Sequence, residues 1–224
     1  SIAFQPEKRS SERRAQETGK PLVVGVTVGF GHLPPLQRTR EQILWLQNWL
    51  EKRGSECSAI FDEAASAETV CERLRNASLF HISCHGEFVQ GKPECTGLLM
   101  KTTQGMEILN LPQLSKLHLK QLRHATLISC WGADNFILPG RWILSLPQVL
   151  WRAGAGTILA SLWEVEEDVA ERFVKLFYEN LRAHSPDVAL SRSQAGMRNS
   201  GGKYRDVRQW AGFQIYGDPQ PLRF

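Results

Sequence analysis

The sequence predicts an α/β fold in which a mostly parallel β-sheet lies between two layers of helices. Short apolar segments alternate along the chain with segments of helical periodicity. The apolar segments are hydrophobic at nearly every position, and no internal repeat or low-complexity stretch interrupts their order. Strands that are apolar on both faces are typical of parallel sheets covered by helices on both sides.

The first half of the chain predicts three strands separated by helices. The strand segments are PLVVGVTV at 21–28, CSAIF at 57–61 and SLFHISC at 78–84. Gly29, Gly31 and two prolines end the first strand. A helix over 36–53 is predicted from apolar residues at helical spacing, Ile43, Leu46, Trp49 and Leu50. A second helix is predicted over 67–76.

The second half predicts a hairpin, three more strands and four more helices. TGLLMK and MEIL form the predicted hairpin, and a short helix follows over 111–117. The remaining strands are expected at 125–130, 156–163 and 210–218. The longer helices are expected in ILSLPQVLWRAGA, which ends at Gly154, and over 169–181 and 186–198. The helix over 169–181 has the clearest apolar stripe: Val169, Phe173, Val174, Phe177, Tyr178 and Leu181.

The composition is that of a globular protein with a single domain. The chain has 224 residues, of which 42% are hydrophobic and 22% charged, and its net charge is +4. No apolar run approaches the roughly 20 residues of a membrane-spanning helix. Residues 1–20 are polar and charged, so we expect a linker or leader there and the folded domain over 21–224. Because the chain begins without methionine, we also expect it to be part of a longer protein.

The cysteine count and the basic residues exclude several classes of protein. Five cysteines without a CxxC pair argue against a disulfide framework and favour a reducing compartment, so we expect a cytoplasmic protein. The basic clusters near the two ends are interpreted as solvated segments, and we expect no direct contact with nucleic acid. We expect no metal and no cofactor, because no zinc-site spacing occurs among Cys84, His85, Cys95 and Cys130.

Two of the predicted strands lead directly into side chains that can carry out chemistry. SLFHISC is followed by His85 and Gly86, and ATLISC ends in Cys130. Sites in open α/β sheets form at the carboxyl ends of strands, and neighbouring strands lie only about 4.8 Å apart. If these two strands are neighbours, His85 can activate Cys130 as a nucleophile and then protonate the departing amine. The backbone N–H groups of Gly86 and Cys130 could bind the oxyanion.

The same residues have a purely structural interpretation. A cysteine at a strand end is often a small buried side chain, and a His-Gly pair often forms a turn. Residue spacing does not decide between the two interpretations.

Four segments, in this order, resemble the CHAT domain family of caspase-like cysteine peptidases, which are related to caspases and separases. They are FHISCHGEF, TLISCWGAD, VLWRAGAGTILASLWEVEEDVAERFVKLFYENL and WAGFQIYGDP, and the resemblance extends over 21–218. It implies a caspase-like three-layer α/β/α sandwich, with His85 of the family's CHG motif as the catalytic base and Cys130 as the nucleophile. Trp131 departs from the small polar or acidic residue that family members often have there.

The resemblance also implies where a substrate would bind. The strand ending in ILASLW should line the pocket for the side chain before the cleaved bond, through Ser161, Leu162, Trp163 and Glu164, with Asp134 nearby. The acidic run Glu164, Glu166, Glu167 and Asp168 raises the hypothesis of cleavage after arginine or lysine. The alternative is that these carboxylates stabilise a helix N-terminus, by roughly 0.3 to 1 kcal/mol each.

The function that follows is a cysteine endopeptidase that cleaves protein partners through a His/Cys dyad. By resemblance, a sensor region outside this chain, such as tetratricopeptide repeats, should regulate it. The alternative is a catalytically inactive CHAT-like module that binds other proteins. That alternative stays open because Trp131 could reshape the cleft.

Overall fold

Eleven β-strands and six α-helices follow one another in the computed structural model, which describes residues 19–129, 135–138 and 142–222. The strands are β1 (Lys20–Gly25), β2 (Ser58–Phe61), β3 (Ala77–Ser83), β4 (Gly86–Glu87), β5 (Gly97–Thr102), β6 (Gly105–Asn110), β7 (His124–Ile128), β8 (Asn135–Leu138), β9 (Trp142–Ser145), β10 (Thr157–Ser161) and β11 (Phe213–Gly217). The helices are α1 (Thr39–Glu51), α2 (Ala67–Leu74), α3 (Leu111–Ser115), α4 (Leu146–Ala153), α5 (Glu167–Leu181) and α6 (Pro186–Asn199).

The central sheet has six strands in the order β11-β10-β7-β3-β1-β2. Only the β10–β11 pair is antiparallel, and the other four pairs are parallel. This arrangement confirms the predicted mostly parallel sheet. Two small antiparallel sheets, β4-β5-β6 and β8-β9, are additional to it.

Apolar side chains that alternate along each strand build one core on each face of the central sheet. On β1, Val23 contributes to the core under α1, α5 and α6, whereas Val24 contributes to the core under α2, α3 and α4. The same division separates Leu79 from Phe80 on β3. The helices therefore cover both faces, as expected for three layers. None of the helices in the described ranges combines the length and apolarity needed to cross a membrane.

The ends of the elements follow from local hydrogen bonds and lie within three residues of the predicted positions. Ser66 caps α2 by accepting a hydrogen bond from Thr69 N–H, and Asn110 with Gln113 forms a capping box at α3. Gly154, at a φ of 124°, follows the last residue of α4. The two-residue β4 and the β8–β9 hairpin were not predicted, and residues 143–145 belong to β9 instead of the helix expected there.

A chain of buried polar side chains crosses three strands beneath α5. His81 Nδ1 lies 3.2 Å from the Tyr178 hydroxyl, which lies 3.0 Å from the Thr126 hydroxyl. His124 continues the chain, with Nε2 3.0 Å from the Thr126 hydroxyl and Nδ1 2.7 Å from that of Thr157. Both histidines are fully buried, and burial lowers the pKa of each ring to about 3. The native sheet therefore holds two neutral imidazoles.

These neutral histidines predict a loss of stability in mild acid. An unfolded imidazole has a pKa near 6.5, so below that pH the unfolded chain binds protons that the folded chain does not. The free energy of unfolding should be constant above pH 6.5 and fall as the pH is lowered towards 3. At pH 5 we expect a loss of about 2 kcal/mol for each ring, measured by urea unfolding at pH 7 and pH 5. Replacing the exposed His118→Gln should leave the difference unchanged, whereas equal stability at the two pH values would contradict the prediction.

Candidate active site

The carboxyl ends of β3 and β7 lie side by side at one edge of the central sheet. Their register pairs Ser83 with Ile128, and Cys84 N–H donates a hydrogen bond to Ile128 O at 3.1 Å. His85 is the next residue after Cys84 and is 6% exposed. Gly86 begins β4 and pairs with Leu98 of β5, so the chain turns away from the central sheet immediately after the histidine.

The ring of His85 is oriented by a backbone carbonyl. Its Nε2 lies 2.8 Å from Pro34 O. Because a carbonyl oxygen only accepts hydrogen bonds, Nε2 carries the hydrogen in the neutral ring, and Nδ1 is left as the basic nitrogen. A neutral imidazole with one fixed N–H and one free lone pair is the form that a general base requires.

The segment that carries this carbonyl, residues 27–36, forms a closed loop that we call the β1–α1 loop. Leu36 N–H donates to Thr27 O at 2.9 Å at its base, and Phe30 and Leu33 exchange two backbone hydrogen bonds near its tip. Gly29 is required within it, because a Cβ there would lie 2.5 Å from Leu33 O. Pro34 and Pro35 have fixed φ angles. The position of Pro34 O is therefore set by the backbone of the loop.

A cleft of about 50 Å³ opens beside His85, between the N-terminal ends of α1 and α5. Its apolar wall includes Leu36, Ile128, Val165 and Phe213, and Ser161 and Trp163 line it from the end of β10. The cleft thus combines the carboxyl ends of β3, β7 and β10 with the β1–α1 loop, as expected for a site in an open α/β sheet.

Charged side chains also line this cleft. Glu171, whose side chain is 12% exposed, accepts hydrogen bonds from Arg38 Nη1 at 3.2 Å and from Lys175 Nζ. Glu167 accepts the backbone N–H of Arg38 at 2.8 Å. The hydrogen bond to Glu171 raises the pKa of the Arg38 guanidinium above its usual value. Both carboxylates in the cleft are therefore already bound to partners from the same chain.

Two buried polar atoms at the cleft have no hydrogen-bond partner within the described residues. They are Oε1 of Gln42, on α1, and the hydroxyl oxygen of Ser129, directly after β7. Buried polar groups are normally paired, so each is available to a bound group. Arg38, Gln42 and Glu171 were not among the predicted site residues, although Glu171 follows Glu167 by one helical turn.

The residues predicted to bind substrate are separated by the structure. Ser161 and Trp163 line the cleft, and Ser161 donates its hydroxyl hydrogen to Trp163 O at 2.6 Å. Leu162 packs against the core on the other face of the sheet, and Glu164 lies exposed at the surface. Cys130 and Asp134, together with Trp131, lie outside the described residues.

The acidic run at the start of α5 is divided between two environments. Glu166 and Asp168 bind Lys203, at 2.6 Å and 2.8 Å, on the outside of the molecule. Glu167 is the member of the run that lines the cleft. All three lie at the N-terminus of a 15-residue helix, where negative charge is also favoured by the helix dipole. No group of three or more residues suited to binding a metal ion occurs within residues 19–129, 135–138 and 142–222.

The wall formed by Trp163 depends on a buried glycine. A Cβ at Gly212 would lie 2.7 Å from the indole ring, and the indole N–H donates to Arg208 O at 2.7 Å. We expect Gly212→Ala to displace the ring, break this hydrogen bond and lower the free energy of unfolding by about 1–3 kcal/mol. Urea unfolding measures the change. Gly201→Ala is the matched control, because a Cβ there meets no atom within 4 Å, and equal stability of the two variants would contradict the assignment.

Comparison with known proteins gives one family and several solved structures. The model of the CHAT domain family matches residues 1–218. The Arg-specific cysteine proteinase gingipain R superposes with a TM-score of 0.65 at 14% identity, over 91% of this chain and 47% of that chain. A complex of the Porphyromonas gingivalis RgpB pro- and mature domains gives a TM-score of 0.66 at 15% identity, over 91% and 48%. No curated protein sequence matches this chain.

Separase from Saccharomyces cerevisiae, in its complex with securin, is a further structural neighbour. It superposes with a TM-score of 0.62 at 17% identity, over 89% of this chain and 12% of that chain. This chain therefore spans about half of the gingipain chains and a much smaller share of separase. At these identities the likeness concerns the fold, and the fold these proteins share is the caspase-like one.

Proposed function

The chain belongs to the CHAT domain family, and we propose that it is a cysteine endopeptidase that cleaves protein partners with His85 and Cys130. The observation that carries the proposal is the position of His85. It is a buried histidine at the end of β3, beside β7, with Nε2 bound to Pro34 O and Nδ1 left as the basic nitrogen.

The register of β3 and β7 supports the pairing of these two residues. Ser83 of β3 and Ile128 of β7 are paired across the sheet. His85 comes two residues after Ser83, and Cys130 comes two residues after Ile128. Ser83 bonds to Thr39 of α1, and Ile128 packs against the core on the same face. Alternate residues of a strand share a face, and Ile128, two residues before Cys130 in the sequence, lies on the face that holds the cleft.

The proposed reaction begins with transfer of the thiol proton to Nδ1 of His85. The thiolate attacks the carbonyl carbon of the peptide bond, and the carbonyl electron pair moves to the oxygen. Backbone N–H groups of Gly86 and Cys130 would bind that oxyanion. As the C–N bond breaks, His85 donates the proton to the departing amine. Water then gives a proton to His85 and attacks the thioester carbonyl. The C–S bond breaks, the acid leaves, and His85 returns the proton to the thiolate.

The cleft supports a preference for a basic side chain before the cleaved bond. Glu167 and Glu171 are carboxylates within reach of a side chain entering past His85, and Gln42 offers an unpaired amide oxygen. Gingipain R, which shares the fold, carries the description Arg-specific. Arg38 already binds both glutamates, so an entering cation would compete with Arg38 for Glu171.

Regulation and location are further parts of the proposal. We propose that a region outside this chain, such as tetratricopeptide repeats, controls the site, and that the substrates are proteins. The separase neighbour, which is described in complex with securin, supports a protein partner. Cys57, Cys71 and Cys95 are unpaired cysteines within the described part of the chain, which supports a reducing compartment such as the cytoplasm.

Activity should depend on both members of the proposed dyad. Cys130→Ala and His85→Ala should each lower kcat/KM by at least about 10³-fold, because each removes a partner of the reacting unit. Cleavage of a proteome by the full-length protein, read by mass spectrometry of new N-termini, measures the effect. Cys95→Ala is the control, since Cys95 is a free thiol that lies outside the cleft.

The outcome also decides between an enzyme and a binding module. An irreversible thiol-directed peptide inhibitor should label Cys130 and leave Cys95 unmodified. If Cys130→Ala produces the same fragments as the native protein, the peptidase proposal fails. If the native protein releases no fragments and takes up no label, the protein-binding alternative is supported.

Specificity should depend on the negative charge in the cleft. In a panel of fluorogenic peptides, those with arginine or lysine before the cleaved bond should be turned over at least about tenfold faster than those with leucine. Glu171→Gln should reduce this preference by removing the most buried negative charge in the cleft. Glu166→Gln should leave it intact, because Glu166 binds Lys203 outside the cleft. Equal turnover of arginine and leucine peptides would exclude the acidic-pocket hypothesis.

A further inference from the structure

Asp62 has a backbone conformation that few side chains adopt. Its φ is 47°, and among the described residues it is the one non-glycine residue with a positive φ. This left-handed region is accessible mainly to glycine and, less readily, to asparagine and aspartate. Residues stay in such conformations when the surrounding contacts hold them there, and such residues cluster at functional sites.

The side-chain hydrogen bonds of Asp62 are made to Thr27, a residue of the β1–α1 loop. Oδ1 of Asp62 accepts the backbone N–H of Thr27 at 2.7 Å. The hydroxyl of Thr27 lies 3.0 Å from Oδ1 and 2.9 Å from Oδ2. Arg40, at 3.7 Å, is the ion-pair partner of the carboxylate. A glycine at position 62 would adopt the positive φ without strain, but it would lose all of these side-chain contacts.

Thr27 connects this carboxylate to His85 through the base of the loop. Gly25 of β1 pairs with Phe61 of β2, so Asp62 follows β2 at the level where the loop leaves the sheet. Thr27 O accepts Leu36 N–H at 2.9 Å, which closes the loop, and Pro34 lies two residues before Leu36. Pro34 O then accepts Nε2–H of His85 at 2.8 Å. A shift at Thr27 would therefore move the carbonyl that orients the imidazole.

We infer that Asp62 is a positioning residue for the proposed reaction. Its carboxylate fixes the position of Thr27, and Thr27 fixes the base of the β1–α1 loop. The loop in turn holds Pro34 O at the position where this oxygen accepts the hydrogen of His85 Nε2. Asp62 thereby leaves Nδ1 as the basic nitrogen without touching the ring. This inference rests on the proposed function for its catalytic meaning, although the orientation of the ring can be measured without any substrate.

Three variants separate the carboxylate from the backbone conformation. Asp62→Gly accepts the positive φ and removes both oxygen acceptors, so it isolates the loss of the hydrogen bonds. Asp62→Asn also tolerates the conformation and keeps one oxygen for Thr27 N–H, so it serves as the rescue. Thr27→Val removes only the hydroxyl and tests the same link from the other side. Glu63→Gln, which alters the neighbouring exposed carboxylate, is the matched control.

The tautomer of His85 is the direct readout, observed by long-range ¹H–¹⁵N correlation NMR of the histidine rings. We expect the Nε2–H form in the native protein, in Glu63→Gln and largely in Asp62→Asn. In Asp62→Gly we expect a mixture of the two tautomers, and in Thr27→Val a smaller shift in the same direction. Against the peptide panel, Asp62→Gly should lower kcat about tenfold or more with KM changed less than twofold, and Asp62→Asn should recover most of the loss.

The two readouts distinguish failure of this inference from failure of the proposed function. An unchanged His85 tautomer in both Asp62→Gly and Thr27→Val overturns the inference, whatever the activity. A changed tautomer in a protein that cleaves no peptide supports the positioning role and rejects the peptidase. If Asp62→Gly does not fold, Thr27→Val decides the question by the same NMR measurement, and an unchanged His85 tautomer in that variant overturns the inference.

Discussion

A sheet buried on both faces restricts where ionisable groups can act, and this constraint determines the position of the site. Burying a charged group without a partner is costly, so ionisable side chains inside the sheet are held in their neutral forms. His81 and His124 illustrate this, because burial lowers the pKa of each to about 3, and a hydroxyl group lies within hydrogen-bond distance of Nδ1 in each ring. A histidine that exchanges protons during a reaction has to lie beyond the strand, as His85 does at the end of β3.

The sequence predicted those parts of the structure that depend on local pattern. Most positions in the strands of the central sheet are apolar, and helices α1 and α5 have clear apolar stripes, so the existence of these elements followed from periodicity. The family resemblance and the caspase-like fold are confirmed. The β8–β9 hairpin was missed because Trp142–Ser145 is apolar and runs into Pro147, which the pattern could not separate from the start of α4. Only the pairing with β8 makes this segment a strand.

The charged lining of the cleft was not predictable, because it arises from packing between distant segments. Arg38 and Glu171 are 133 positions apart, and they meet because α1 and α5 lie side by side on one face of the sheet. A run of acidic residues is visible in the sequence, but the partner of each carboxylate is not. Lys203 donates hydrogen bonds to Glu166 and Asp168, whereas Arg38 donates hydrogen bonds to Glu167 and Glu171. The Arg38 side chain is 53% exposed, so solvent screens its ion pair and a ligand cation could exchange with it.

The use of a backbone carbonyl beside His85 has a consequence for how the site is controlled. A carboxylate partner would be held by its own side-chain rotamer and could be lost by one substitution. Pro34 O has no rotamer, and replacing the Pro34 side chain would leave the oxygen in the chain. Its position depends instead on the path of the loop, on Gly29, which makes room for Leu33 O, and on the hydrogen bond that closes the base. The orientation of the imidazole therefore depends on loop residues beyond its direct partner, and a contact that displaces the β1–α1 loop would move the ring without entering the cleft.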